Sequence, residues 1–240
     1  MSKKIIIIGG SGSIGSAIAK EILKENFEPY LIGRNFFELN KLSKELKCEF
    51  KKADVGNTEE LKKAIQDCGN SIFGLAYCVG SINLKPVSTA QENDYLDSFK
   101  INTLGAINAV KFSMNFLKQN HGSILFFSCI AVKQGFPNHT IISSAKGAIE
   151  ALTVSLAAEL SPEIRVNCIA PSLTETGMTK SITTNQNLKK AIESLHPIPK
   201  LGQPNDHSKL ASFLLGESNK WITGQVFHID GGRSTVRKKD

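Results

Sequence analysis

The stretch Ile5-Ile6-Ile7-Ile8-Gly9-Gly10-Ser11-Gly12-Ser13-Ile14-Gly15 decides the fold. Its isoleucine run is β-branched, too short for a helix and apolar on both faces, as a strand buried on both sides must be. Glycines follow at once, and Ile14–Leu23 then takes a helical period. Glycine suits such a junction for three reasons: the turn is tight, the backbone must approach a pyrophosphate, and the helix must start close to the strand with its amides facing the anion. Gly9, Ser11, Gly12, Ser13, Ile14 and Gly15 are therefore the expected phosphate-cradling residues. The plainer alternative is a tight strand-to-helix turn. Its place at the first β–α junction favours dinucleotide binding.

Outward from this junction, short apolar runs alternate with longer segments of helical period. Ile5–Ile8, Tyr30–Ile32, Cys48–Phe50, Ile72–Cys78, Ser123–Phe127, Ile164–Ile169 and Gln225–Ile229 are the expected strands. Ile14–Leu23, Phe36–Leu46, Glu59–Cys68, Asp94–Leu117, Ser143–Leu160 and Asp206–Leu215 are the expected helices. Strands that do not alternate with polar residues, each followed by a helix, describe a parallel sheet covered on both faces. The reading is an α/β, doubly wound Rossmann fold with a seven-stranded parallel sheet, one domain over residues 1–240. Residues 172–204 form a long irregular segment with one short helical patch, expected to cover a substrate.

The 240-residue chain is 41% hydrophobic with 19 glycines, which excludes disorder and collagen-like repeats. A net charge of +7 raises nucleic acid or a membrane surface as partners until the charge is located. It is dispersed except for a basic tail, 233–240, expected to be a solvated end, so neither partner is expected. Cys48, Cys68, Cys78, Cys129 and Cys168 are odd in number and lack CxxC spacing; no metal is expected, and free thiols imply a reducing cytoplasm. The N-terminal apolar run is shorter than a secretory signal or the ~20 residues of a membrane span requires.

Arg34 follows the second strand, where an acid would bind the ribose 2′-hydroxyl and a cation would pair with a 2′-phosphate. NADP is expected over NAD, although NAD remains possible and a surface arginine at a helix start is the plain alternative. Asp54, with Val55 beside it, either contacts the adenine or caps the helix near Thr58.

The order of features resembles the short-chain dehydrogenase/reductase family, in particular its 3-oxoacyl-carrier-protein reductase branch, over nearly the whole chain. The most specific stretches are Ser143-Ser144-Ala145-Lys146-Gly147-Ala148, Ile164-Arg165-Val166-Asn167-Cys168-Ile169-Ala170-Pro171 and Ile229-Asp230-Gly231-Gly232. The resemblance implies hydride transfer between a nicotinamide and a carbonyl or alcohol carbon of a small-molecule substrate. Proton exchange falls to a tyrosine, helped by a lysine that lowers its pKa and binds the nicotinamide ribose. The lysine is Lys146, and an asparagine anchoring a proton-relay water is Asn102. Thr174 and Thr176 are implied to hold the carboxamide and pyrophosphate, and Ser172 replaces a glycine.

The sequence also departs from the family. Ile142 stands in the place of the tyrosine, and an isoleucine neither gives nor takes a proton. Cys129 stands in the place of the serine that holds the substrate oxygen, with Ser128 directly before it; a thiol is the weaker donor. Tyr77-Cys78-Val79-Gly80 keeps only the glycine of an Asn-Asn-Ala-Gly stretch, and Tyr77 is expected near the cofactor cleft. His139 is a replacement acid only if its ring turns inward. Two functions follow: an NADP-preferring oxidoreductase with an atypical proton donor, or a non-catalytic dinucleotide-binding sensor or assembly subunit. The resemblance further implies a homo-oligomer, expected to be a tetramer, through Asp94–Leu117 and Ser143–Leu160.

Overall fold

A computed structural model describes residues 3–237; the tail positions Lys238 to Asp240 lie outside the described residues. Seven parallel strands, β1 (Lys4–Ile8), β2 (Glu28–Gly33), β3 (Glu49–Lys52), β4 (Ile72–Tyr77), β5 (Ser123–Phe127), β6 (Arg165–Pro171) and β7 (Val226–Ile229), form one sheet in the order β3-β2-β1-β4-β5-β6-β7. The single-domain doubly wound fold is as expected. Cys48 is buried just before β3 rather than within it, and β6 runs on to Pro171.

Alternate residues of each strand face opposite helix layers. Ile6 and Ile8 pack into a core with Leu61, Ala106 and Ile149, from α3 (Thr58–Gln66), α5 (Gly105–Gln119) and α6 (Thr140–Leu160). Ile5 and Ile7 face Ile18, Leu39 and Leu214, from α1 (Ser13–Lys24), α2 (Phe36–Leu46) and α9 (Pro204–Leu215). Helix α6 is long and apolar enough to cross a membrane by length and composition, but here it lies against β6 and α4 (Glu92–Phe99). The covering segment holds α7 (Lys180–Thr183) and α8 (Gln186–Glu193), more structure than the single patch expected.

The expected helix Asp94–Leu117 is broken. Between α4 and α5 the chain makes a π turn, Lys100–Leu104. The amide of Gly105 bonds the carbonyl of Lys100, five residues back, instead of that of Ile101. The Tyr77 phenol donates to the Ile101 carbonyl at 2.6 Å. Tyr77 is thus buried beneath the π turn, which corrects the expectation that it stands at the cofactor cleft. A Cβ on Gly105 would lie 2.2 Å from the Tyr77 hydroxyl oxygen, so the glycine makes room for the phenol.

Gly105→Ala should destabilise the protein by about 1–3 kcal/mol through overpacking, despite alanine's better helix propensity. Tyr77→Phe alone should cost about 1 kcal/mol for the lost hydrogen bond. Because the phenylalanine removes the clashing oxygen, the two losses should not add, and urea unfolding of the single and double variants measures the coupling.

Candidate active site

The sheet order reverses between β1 and β4, and at such a switch point the carboxyl ends of the strands leave a crevice. A cavity of about 720 Å³ opens there. Its wall includes Ser11, Gly12, Ser13, Ile14 and Gly15 from the first turn, Gly80, Ser128, Cys129, Ile142, Lys146, Thr174 and Thr176. The structure therefore brings most of the sequence-expected residues around one space. Gly9 is not in that wall; it turns the chain at φ +83°, and its amide bonds the Ile32 carbonyl at 2.7 Å. A Cβ on Gly15 would come within 2.3 Å of the Gly9 carbonyl, so helix and strand meet as closely as the sequence implied. Gly12 caps α1 without a side-chain hydrogen bond, leaving the first-turn amides suited to a phosphate.

Arg34, Asp54 and Val55 lie beyond this wall. Val55 is buried in the core, whereas Arg34 is exposed at the end of β2, 3.8 Å from the Asp54 carboxylate. Asp54 does not cap α3, because Asn57 does, while Arg34 sits on the surface just before α2, which Asn35 caps. Asp54 instead accepts the Gly56 amide at 2.8 Å.

Lys146 is 7% exposed, and its ammonium donates to the Phe127 carbonyl at 2.8 Å. Burial pulls its pKa down, with the Cys129, Cys168 and Cys78 thiols around it opposing the shift. Burial in turn pushes Cys78 up to about 12 and raises Cys129, which keeps both thiols protonated at neutral pH. Cys129 is thus a weak donor and no thiolate. Asn102, in the π turn, donates to the Ser98 carbonyl at 2.9 Å and to the Ser81 hydroxyl at 3.1 Å, and accepts the Ser81 amide at 3.3 Å. It ties the Gly80–Ser81 segment to the helix. Ser128 is turned away from substrate work: its one proton goes to the Glu150 carboxylate at 2.6 Å.

Hydroxyls of the segment after β6 make two imidazole pairs that no local motif announced, one buried and one part-buried. Thr174 donates to the Ser172 carbonyl at 3.0 Å, so it must accept at 2.9 Å from His207 Nε2–H. His207 Nδ1 is then a bare, buried lone pair without a hydrogen-bond partner. His196 is the reverse. Its Nδ1 meets the Ile192 carbonyl at 2.9 Å and must carry the proton, so Nε2 accepts from the Ser172 hydroxyl at 2.8 Å. The Thr176 hydroxyl lies 3.2 Å from that of Thr179. The Gly177 amide reaches Ser13 Oγ at 3.3 Å, bridging the covering segment to the glycine-rich turn.

Two rim groups complete the site. His139 lines the cavity, with Nδ1 on the Pro137 carbonyl at 2.7 Å. Arg233 also lines it and sits over the Phe136 ring at 4.8 Å, which corrects the reading of the whole tail as a solvated end.

A family model described as enoyl-(acyl carrier protein) reductase matches residues 9–234. The chain is 31% identical to a 3-oxoacyl-acyl-carrier-protein reductase of Chlamydia trachomatis, covering 97% of each chain. It is 29% identical to a tropinone reductase homologue of Arabidopsis thaliana, covering 96% of this chain and 91% of that one. The solved structure of ElxO with NADP bound superposes with a TM-score of 0.91 at 27% identity, over 98% of this chain and all of that one. The chain belongs to the short-chain dehydrogenase/reductase family, whose members are NAD(P)-dependent oxidoreductases.

Burial holds the His207 pKa down, at about 4 against an ordinary 6.5. Between those values the unfolded chain binds a proton that the folded one refuses, so stability falls as pH falls through that window. Denaturant unfolding should lose about 2 kcal/mol from this residue between pH 7 and pH 5. His207→Gln should flatten that slope.

Proposed function

We propose that this protein is an NADP(H)-dependent oxidoreductase that interconverts a carbonyl and an alcohol on a small-molecule substrate, with a proton donor other than tyrosine. One observation carries the reading: a single cavity is walled both by the glycine-rich turn and by the buried Lys146. The group fits this chain. The helix α1 amides with Ser11 and Ser13 would take the pyrophosphate, Lys146 the nicotinamide ribose beside Gly80, and Thr174 and Thr176 the carboxamide side. Arg34 would exchange its long contact with Asp54 for a 2′-phosphate, next to Val55. When bound, the reduced nicotinamide supplies the hydride.

The other wall, with Ile82, Leu84, Phe136, Ile142, Met178, Ile182 and Leu188, suits an apolar substrate body under a lid formed by residues 172–204. Ile142 occupies the place that the family gives to its tyrosine. Asn102 and Cys129 remain the sequence-derived candidates beside Lys146, while the Ser128–Glu150 bond argues against Ser128. The apolar Ile142 and the committed Ser128 favour a second reading, a non-catalytic dinucleotide-binding sensor or assembly subunit.

We also place the protein in the cytoplasm, a reading supported by its free cysteines, and as a homotetramer. The exposed apolar side chains Leu96, Leu104 and Ile107 on the α4–α5 face, with Val154 on α6, support self-association.

Pure protein should oxidise NADPH when given a panel of trans-1-decalone, ethyl acetoacetate, tropinone and an acetoacetyl thioester; NADPH bound without any turnover supports the non-catalytic reading instead. Arg34→Ala should weaken NADPH binding about 10–100-fold while leaving NADH affinity unchanged, by fluorescence titration. In light scattering a tetramer mass is expected, and a monomer ends that part of the proposal.

A further inference from the structure

We propose that the Ser172 hydroxyl, wired to the His196 imidazole, exchanges the proton with the substrate oxygen; the proposal rests on the oxidoreductase reading above. Ser172 closes β6 at its carboxyl end and lines the main cavity. It also lines a smaller cavity of about 230 Å³ shared with His196, so the residue borders both the cleft and the space beside the ring. The ring is 1% exposed. The Ile192 carbonyl fixes its Nδ1–H tautomer, leaving Nε2 to accept from Ser172 at 2.8 Å. A hydroxyl, a base and a group that orients the base are the parts that proton transfer at an oxygen requires.

The other groups in the wall do this less well. Ile142 has no proton to give, Ser128 has given its own to Glu150, and the Cys129 thiol is a weak donor.

In alcohol oxidation the alcohol proton would pass to Ser172 Oγ as the serine proton passes to His196 Nε2, and a bound oxidised nicotinamide would supply the hydride acceptor. Carbonyl reduction runs the same path backwards. The imidazolium Nε2–H would reprotonate Ser172 Oγ as its proton goes to the substrate oxygen, with the hydride supplied by a bound reduced nicotinamide. His196 then regains its proton from water. Lys200, Asp206 and Asp230 face His196 across the smaller cavity, and Glu193 and Lys189 lie on α8. Of these, Lys200 lies 3.6 Å from the Asp206 carboxylate, and Asp230 accepts the Gly232 and Ser234 amides at 2.9 Å each.

The test compares wild type, Ser172→Ala, His196→Gln and His139→Gln on the panel above, with NADPH affinity by fluorescence and imidazole ¹⁵N NMR of the cofactor-free protein. Ser172→Ala should lower kcat about 10²-fold with NADPH affinity within about twofold of wild type. The relay takes up a proton in one direction and releases one in the other, so wild-type kcat should depend on pH in opposite senses for reduction and oxidation, and His196→Gln should remove both dependences. The NMR should find neutral His196 protonated on Nδ1. Wild-type turnover in Ser172→Ala, a proton on Nε2, or a larger loss in His139→Gln than in Ser172→Ala each overturns the relay. A wild type that binds NADPH and turns over nothing overturns the oxidoreductase reading with it; a working wild type matched by Ser172→Ala overturns the relay alone.

Discussion

The approach of helix α1 to the end of β1 is the constraint on which the rest depends. Gly15 passes so near the Gly9 carbonyl that no side chain fits between them, and Gly9 itself takes a left-handed conformation. This contact fixes the start of α1 over the crevice and sets its buried face against α9. It also spends the Gly9 and Gly10 amides on the Ile32 carbonyl, which locks β2 to the turn. The first-turn amides beyond Gly12 are left to face the cavity. A close-packed turn leaves donors with nowhere else to point, which is the arrangement that would suit a phosphate.

The far wall of the cleft is governed by the desolvation of Lys146. An ammonium removed from water needs compensation, and the Phe127 carbonyl at the end of β5 supplies a direct hydrogen bond. The surrounding thiols, themselves held neutral by burial, provide a polarizable lining without a countercharge. An anionic ligand entering the cleft would therefore meet a cation that no carboxylate has yet neutralised by ion pairing within the cluster described. Lys146 thus sets a buried cation in the cleft wall, which the overall charge of +7 did not reveal.

Much of this was legible in the sequence. Uninterrupted apolar runs such as Ile5–Ile8 and Ser123–Phe127 can only be strands buried on both faces, so the sheet followed, and the glycine spacing placed the turn. What escaped depends on partners distant in the chain. Lys100-Ile101-Asn102-Thr103-Leu104 keeps a helical composition, and its π turn is associated with Tyr77, which no periodicity links to it. Ser172 and His196 are separated by most of the covering segment, and neither stands in a motif. Arg233 looked like part of a solvated tail because charge alone does not say which face a side chain takes.

The same distinction separates a phosphate-binding turn, which leaves a mark in the sequence, from a proton donor, which need not. Phosphate binding is done by backbone, and backbone geometry leaves glycines at fixed spacing. Proton transfer is done by one hydroxyl or ring at one position, and any surface that reaches the same point can carry it. With Ile142 filling one side of the cleft, the groups facing it from across the chain become decisive. Among these, the Ser172 hydroxyl combines a place in the cleft wall with a hydrogen bond to a buried, tautomerically fixed imidazole. On the relay proposed above, proton transfer in this cleft would fall to the segment that follows β6, whose Ser172–His196 contact forms only once that segment folds back on itself.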